Sequence, residues 1–282
     1  MPKLIFNADD FGISPGVNRA IQKAHQEGIL NSASLMITQP FADEAIRMAK
    51  EMPNLSVGLH INLTNGAPAA DPKQIPHLTD KNGLMNNGFV KLFVLSLLLP
   101  RRMKQEAEIE INAQIKRYLE SGLTLDHLDS HRHVHLIPAI FKATQALRKA
   151  HQVARIRLMN ENLWNTARQN KSKRWLWDGG LVKYMLLRAL TFWNTREKGA
   201  YFYTILYTCK ITRDQFRDIT LPAGYDAMEV MIHPGMPEVD APHPEYVWDK
   251  SILLPWRTVE LQTLLDKTIP GKIHFRGEGR ER

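Results

Sequence analysis

Short apolar runs that lead into a metal-competent side chain recur along this chain, and that recurrence narrows the folds open to it. Leu4-Ile5-Phe6-Asn7-Ala8 runs into Asp9-Asp10. Leu55 to Leu63 carries His60, and Met228 to Ile232 stops at His233. Between them lies Asp129-Ser130-His131-Arg132-His133-Val134-His135, an acid and three histidines at every second position. A strand sends alternate side chains to one face. Asp129, His131, His133 and His135 are therefore expected to point the same way, roughly 6–7 Å apart at about 3.3 Å rise per residue. Such a face makes a poor core and a good hydrolytic site.

Helical segments alternate with these runs. Ser14-Pro15 offers an N-cap followed by Pro at the first helical position. Val17, Ala20, Ile21 and Ala24 keep helical spacing, and Gly28 supplies a stop. Ser34 to Thr38 reads as a strand, Ala42 to Glu51 as a helix, and Lys104 to Glu120 as a long helix. Pro138 opens another helix, Arg155 to Met159 reads as a strand, and Arg257 to Asp266 as the last helix. Repeated strand–helix units predict an α/β fold with a parallel sheet and helices outside. The length of 282 residues suits a distorted (β/α) barrel forming a single domain over 1–282. An open doubly wound sheet is the alternative. Either architecture gathers the groups at its strand ends into one site.

Composition restricts the chemistry. One cysteine, Cys209, permits neither an internal disulfide nor a thiolate metal cage, so a metal must be held by His and carboxylate. The formal net charge of +8 favours an anionic partner. No zinc-finger, RNP-like or helix-turn-helix signature accompanies it, so nucleic acid is not expected. Met-Pro-Lys leads straight into a strand without a secretory leader, and no run of about 18 apolar residues occurs, which points to a cytoplasmic protein.

A catalytic zinc site uses three protein ligands and keeps a position open for water. One aspartate and two histidines from different strands meet that count. The metal lowers the pKa of its water towards about 7 and polarises a carbonyl. A second carboxylate beside it can take the proton. The adjacent Asp9 and Asp10 suit this division, one on the metal and one towards substrate. His233, in Met231-Ile232-His233-Pro234-Gly235, suits donation to a leaving nitrogen. Taken singly, each piece has a plainer reading: an Asp-Asp pair as a cap, His60 as a hydrogen-bonded core residue, His-Pro-Gly as a turn.

Asn7-Ala8-Asp9-Asp10-Phe11-Gly12, Gly58-Leu59-His60, His127-Leu128-Asp129-Ser130-His131-Arg132-His133-Val134-His135 and Ile232-His233-Pro234-Gly235 together resemble the YdjC/ChbG family of carbohydrate deacetylases, in order and spacing, from Leu4 to about Leu265. The resemblance implies a distorted (β/α) barrel that removes acetyl groups from N-acetylglucosamine units. It implies Asp10, His60 and His131 as metal ligands, Asp9 as general base and His233 as general acid. His133 and His135 would line the site or orient ligands from behind, as Asp129 would. Strand parity alone permits His133 in place of His131. The family is described with magnesium or zinc, and two His with one Asp favour zinc on ligand chemistry. Ser32-Ala33-Ser34-Leu35-Met36 and the length resemble the branch associated with hopanoid lipid synthesis.

Two segments fit a barrel poorly and are expected to be insertions, at about 84–104 and 161–200. Phe89 to Leu99 is apolar and is followed by Pro100-Arg101-Arg102-Met103-Lys104. The second holds Trp164, Trp175, Trp177 and Trp193 among many Lys and Arg. Apolar residues beside cations suit a helix lying on an anionic membrane surface, at the inner face, or else a packed helix with a basic face or a homodimer contact. The expected function is metal-dependent removal of N-acetyl from an N-acetylglucosamine-containing saccharide or glycolipid. The alternatives are hydrolysis of another bond, such as a phosphoester, and a non-catalytic carbohydrate- or glycolipid-binding relative.

Overall fold

The computed structural model describes residues 3–217, 219–243 and 249–275. In chain order the elements are β1 (Lys3–Phe11), α1 (Pro15–Glu27), β2 (Ser32–Leu35), α2 (Ala42–Glu51), β3 (Ser56–Ile61), β4 (Asn65–Gly66), β5 (Met85–Asn86), α3 (Phe89–Leu98), α4 (Pro100–Glu120), β6 (His127–Ser130) and α5 (Pro138–Ala150). There follow β7 (Arg155–Ile156), α6 (Leu163–Gln169), α7 (Gly180–Asn194), β8 (Tyr201–Tyr203), β9 (Ile219–Leu221), β10 (Ala227–Ile232), α8 (Pro237–Asp240), α9 (Trp256–Leu264) and β11 (Ile273–Phe275).

Seven strands pair in the order β7-β6-β3-β2-β1-β10-β8, every pair parallel. Followed from β1, the chain adds β2, β3, β6 and β7 on one side and closes back through β8 and β10 on the other. This is the winding of a (β/α) barrel whose ladder is interrupted between the edges β7 and β8. The sheet curls into a half-barrel, a distorted (β/α) barrel. The pairs β4–β5 and β9–β11 lie outside it.

Local signals explain the helix ends. Ser14 accepts from the Val17 N–H with Pro15 at the first helical position, and the Gly28 N–H closes α1 on the Ala24 carbonyl. Asp240 clamps the same end, accepting from the Ser14 hydroxyl at 2.7 Å and the Gly16 N–H at 2.8 Å. The long helix α4 starts at Pro100 rather than near Lys104, because Pro is favoured at a helix's first position. β7 is shorter than expected. Arg157 leaves the ladder after Ile156, its N–H still donating to the Leu128 carbonyl while its own carbonyl accepts from His135.

The barrel interior is polar. Asn7 donates to Asp9 and Ser34, and Ser34 donates to Asp129. The His127 ring sits on Gly58, where any Cβ would come within 2.5 Å of it. At the centre, Arg157 donates to both Asp9 oxygens at 2.7 and 2.8 Å, to Glu229 at 2.6 Å and to Asp129 at 2.8 Å. One side chain thus ties the end of β7 to β1, β6 and β10, inside the barrel whose outer seam is open. Removing one partner of a buried ion cluster strands the others at a cost of about 3–5 kcal/mol. Arg157→Met should therefore destabilise the protein by about that amount in urea denaturation. A variant of parental stability would show that the three carboxylates are neutralised some other way.

Candidate active site

Adjacent residues of a regular strand face opposite ways, so Asp9 and Asp10 need a local irregularity to meet in one place. The register supplies it. Ala8 pairs with Ala33 and Phe11 with Leu35, so β1 holds one residue more than β2 across this stretch. Asp10 takes up the bulge with φ +69°, and bulges commonly re-aim a side chain at a site. Both carboxylates consequently line one pocket of about 210 Å³, together with His60, His131, His133, His233, Lys183, Cys209 and Arg257.

Ligand atoms of Asp10, His60 and His131 lie within 4.8 Å of one another, and all three residues are buried. His60 Nδ1 donates to Asp129 at 2.8 Å, which leaves Nε2 facing Asp10 Oδ1 at 3.6 Å. His131 Nδ1 donates to the same Asp10 oxygen at 2.8 Å, and its Nε2 meets Asp249 at 3.1 Å. Arg257 holds the other Asp10 oxygen at 2.7 Å. Two imidazoles and one carboxylate, with each imidazole held on its far nitrogen by a further carboxylate, are a donor set that fits a divalent ion such as zinc. Asp9, His60 and Asp129 also lie within reach of one another. That trio is the poorer candidate, because Arg157 already donates to both of its carboxylates.

The charges follow from burial and neighbours. Burial opposes ionisation of Asp10, but Arg257 and His131 hold its carboxyl well below the usual range. Burial likewise opposes the His60 imidazolium, yet Asp129 and Asp9 push its pKa up to about 10. His131 is raised too, burial being outweighed by Asp10. His233 has its Nε2 3.8 Å from Asp9 Oδ2, its backbone N–H on Glu260 and its Nδ1 near Cys209. Burial opposes its imidazolium, but Cys209, Glu260 and Asp9 raise its pKa well above the ordinary histidine value.

The histidine run does not form the expected strand. β6 stops at Ser130, and His131–Leu136 turns as a 3-10 segment with Arg132 and His133 both at φ +56°. The Ser130 hydroxyl accepts from the His135 N–H at 2.9 Å and bonds its ring at 2.6 Å, folding the chain back. Alternation therefore ends there. His131 and His133 reach the pocket. His135 points elsewhere, donating from Nε2 to the Arg157 carbonyl, and burial lowers its pKa to about 4. Asp129 is fully buried behind His60. His133 is kept neutral by burial with Lys183 and Arg157 nearby, and its Nδ1 has no hydrogen-bond partner.

Sequence reasoning missed Arg157, Arg257, Asp249, Glu260, Lys183 and Cys209 as neighbours of the site. Arg157 alone carried a signal, a charged residue inside an expected strand. The pocket adjoins a groove of about 1060 Å³, with Lys183, Thr208 and Cys209 lining both.

The family model for YdjC-like protein matches residues 3–274. A carbohydrate deacetylase of Brevibacillus brevis is 33% identical over 276 residues, which cover 96% of this chain and 94% of that one. A carbohydrate deacetylase of Vibrio parahaemolyticus is 33% identical over 82% of this chain and 78% of its own. Among solved structures, an Enterococcus faecalis protein named for cellobiose-phosphate cleavage is similar with a TM-score of 0.68, at 24% identity, covering 96% of this chain and 93% of that one. The last likeness concerns the fold.

The raised histidines set a pH dependence. A group whose folded pKa exceeds its unfolded value stabilises fully below the unfolded value and loses that effect as pH rises through the folded one. For His60 that window runs from 6.5 to about 10. Chelator-treated protein should melt at progressively lower temperature across it. Added zinc should raise the melting temperature, because a ligand of the folded state stabilises by mass action. A flat apo profile with no response to zinc would contradict this account of the centre.

Proposed function

Since the chain belongs to the family of YdjC-like proteins, we propose that it is a metal-dependent hydrolase removing the N-acetyl group from an N-acetylglucosamine-containing saccharide or glycolipid. The observation that carries the reading is the convergence of Asp10, His60 and His131 in a pocket that also presents Asp9 and His233. The names of the curated relatives agree with it.

Asp10, His60 and His131 would hold the divalent ion, which when bound supplies Lewis-acid polarisation of the acetyl carbonyl and acidifies a water. The protein's own groups do the rest. Asp129 keeps the proton of His60 on Nδ1, so Nε2 is the atom offered to the pocket. Arg257 fixes Asp10, and Arg157 grips both oxygens of Asp9, setting the plane of that carboxylate. Water attacks the acetyl carbon and gives its proton to Asp9. The C–N bond breaks as His233, protonated in the folded state, donates from Nε2 to the departing nitrogen. Acetate and a free amino sugar result. The pocket accommodates the acetamido end, and the adjoining groove takes the remainder of the molecule.

Acetate release from N-acetylglucosamine oligomers, measured with and without chelator, tests the reading. Activity should vanish with the chelator and return with zinc. Asp9→Asn should retain the metal while kcat falls about 10²–10⁴-fold, the usual worth of a positioned general base. No acetate release from any of these oligomers with zinc present, or parental turnover by Asp9→Asn, would overturn the assignment.

A further inference from the structure

Two helices carry apolar side chains on the outside of the molecule. α3 reads Phe-Val-Lys-Leu-Phe-Val-Leu-Ser-Leu-Leu, apolar almost all round, yet it buries only Leu92 and Ser96 and leaves Leu98 71% exposed. A helix apolar on every face belongs in an interior or against lipid. α7 buries Leu187, Leu190 and Thr191 and turns Val182, Met185 and Phe192 outward, with Trp193 82% exposed. Large apolar side chains left exposed in such numbers on two helices mark an interaction site.

α7 lines the site, and α3 packs beside it against α5 and the turn that precedes α5. The Ser96 hydroxyl of α3 accepts from the Ala139 N–H, and Asn194 of α7 donates to the Leu136 carbonyl. They thus pack on the segment that brings His131 and His133 to the pocket, and Lys183 of α7 lines the pocket itself. Among the described residues no helix is long and apolar enough to cross a membrane.

Charge selects the occupant. Residues 88–104 contain Lys91, Arg101, Arg102 and Lys104 and no acid. Residues 162–196 contain seven Lys or Arg and a single acid, Asp178; Lys183 lines the pocket and Arg168, Lys171 and Arg174 the groove, which leaves Lys173, Arg188 and Arg196 outside both. A second copy docked on this face would set these cations against their equivalents. An anionic bilayer meets both demands, since apolar and aromatic side chains enter the headgroup boundary while cations meet lipid phosphates. We propose that the outer faces of α3 and α7 form an interfacial surface that docks the protein on an anionic membrane with its catalytic pocket beside the bilayer. The proposal goes beyond the deacetylase reading, and vesicle binding is measured without any substrate.

The test is co-sedimentation of the full chain at low salt with vesicles of phosphatidylcholine, with and without phosphatidylglycerol. The protein should pellet with the anionic vesicles and be released by salt. The combined variant Leu97→Ser, Leu98→Ser, Phe192→Ser, Trp193→Ser should partition at least about tenfold more weakly, given the apolar area removed. Circular dichroism checks that it folds, and the pairs Leu97→Ser/Leu98→Ser and Phe192→Ser/Trp193→Ser serve if it does not. Three results would overturn the proposal. They are no pelleting with anionic vesicles, pelleting that the folded variants leave unchanged, and a dimer in sedimentation velocity that the same substitutions dissociate.

Discussion

The guanidinium of Arg157, enclosed by Asp9, Asp129 and Glu229, is the interaction on which the arrangement of this barrel turns. Uncompensated charges are costly to bury, and this interior holds many. Asp9, Asp10, Asp129 and Glu229 face the guanidinium groups of Arg157 and Arg257, while Asp249 stands against His131 and Glu260 against His233. The carboxylates around His60 and His131 raise the pKa of both imidazoles. A divalent ion held by the same imidazoles would compete with those protons. The field that protonates the histidines is thus also the field that favours a cation. An apolar core of equal volume would be at least as stable, so the polar interior is explained by what it holds in place.

The second constraint is geometric. Two neighbouring carboxylates can act on one substrate only if the strand bearing them is irregular between them. The extra residue in β1 and the left-handed backbone of Asp10 provide this. Asp9 stays on the inward side, within reach of Arg157 and His233, while Asp10 swings to His60, His131 and Arg257. Gly58 makes a comparable allowance, since the His127 ring lies where a side chain would stand. The ring in turn bonds Ser34, which holds Asp129, which holds His60. The orientation of His60 is thus set by a chain of contacts across β2, β3 and β6.

Much of this was legible in the residue order, and the limits are physical. The strand–helix repeat with polar groups at strand ends foretold the parallel barrel, because periodicity is a local property. The Ser14-Pro15 cap and the Gly28 stop were legible for the same reason. The alternation argument for Asp129 to His135 failed after Ser130, because it holds only while the backbone stays extended, and Ser130 bonds the chain back on itself. His135 consequently became a buried, neutral support for the Arg157 carbonyl. Arg257 was invisible as a site residue, and Arg157, though a charge inside an expected strand, gave no hint of its partner, the two being 247 and 148 positions from the aspartates they hold. No spacing rule reaches that far.

The polarity of the molecule is inverted at α7. Its inward edge supplies Lys183 to a charged pocket, and its outer face presents Phe192 and Trp193 to solvent. Ten residues of helix separate Lys183 from Trp193, about 15 Å at 1.5 Å rise per residue. Whatever rests on the aromatic end is then within the length of a short saccharide from the pocket that Lys183 shares with Asp9, Asp10 and His233. The groove of about 1060 Å³ opens beside that helix and shares Lys183 with the pocket. Its own lining adds Arg168, Lys171, Arg174 and Lys210 beside Asp178 and Asp214, and Asp178 pairs with both Arg174 and Lys210. The groove therefore offers a polar chain donors and acceptors of both signs, not a uniformly positive wall.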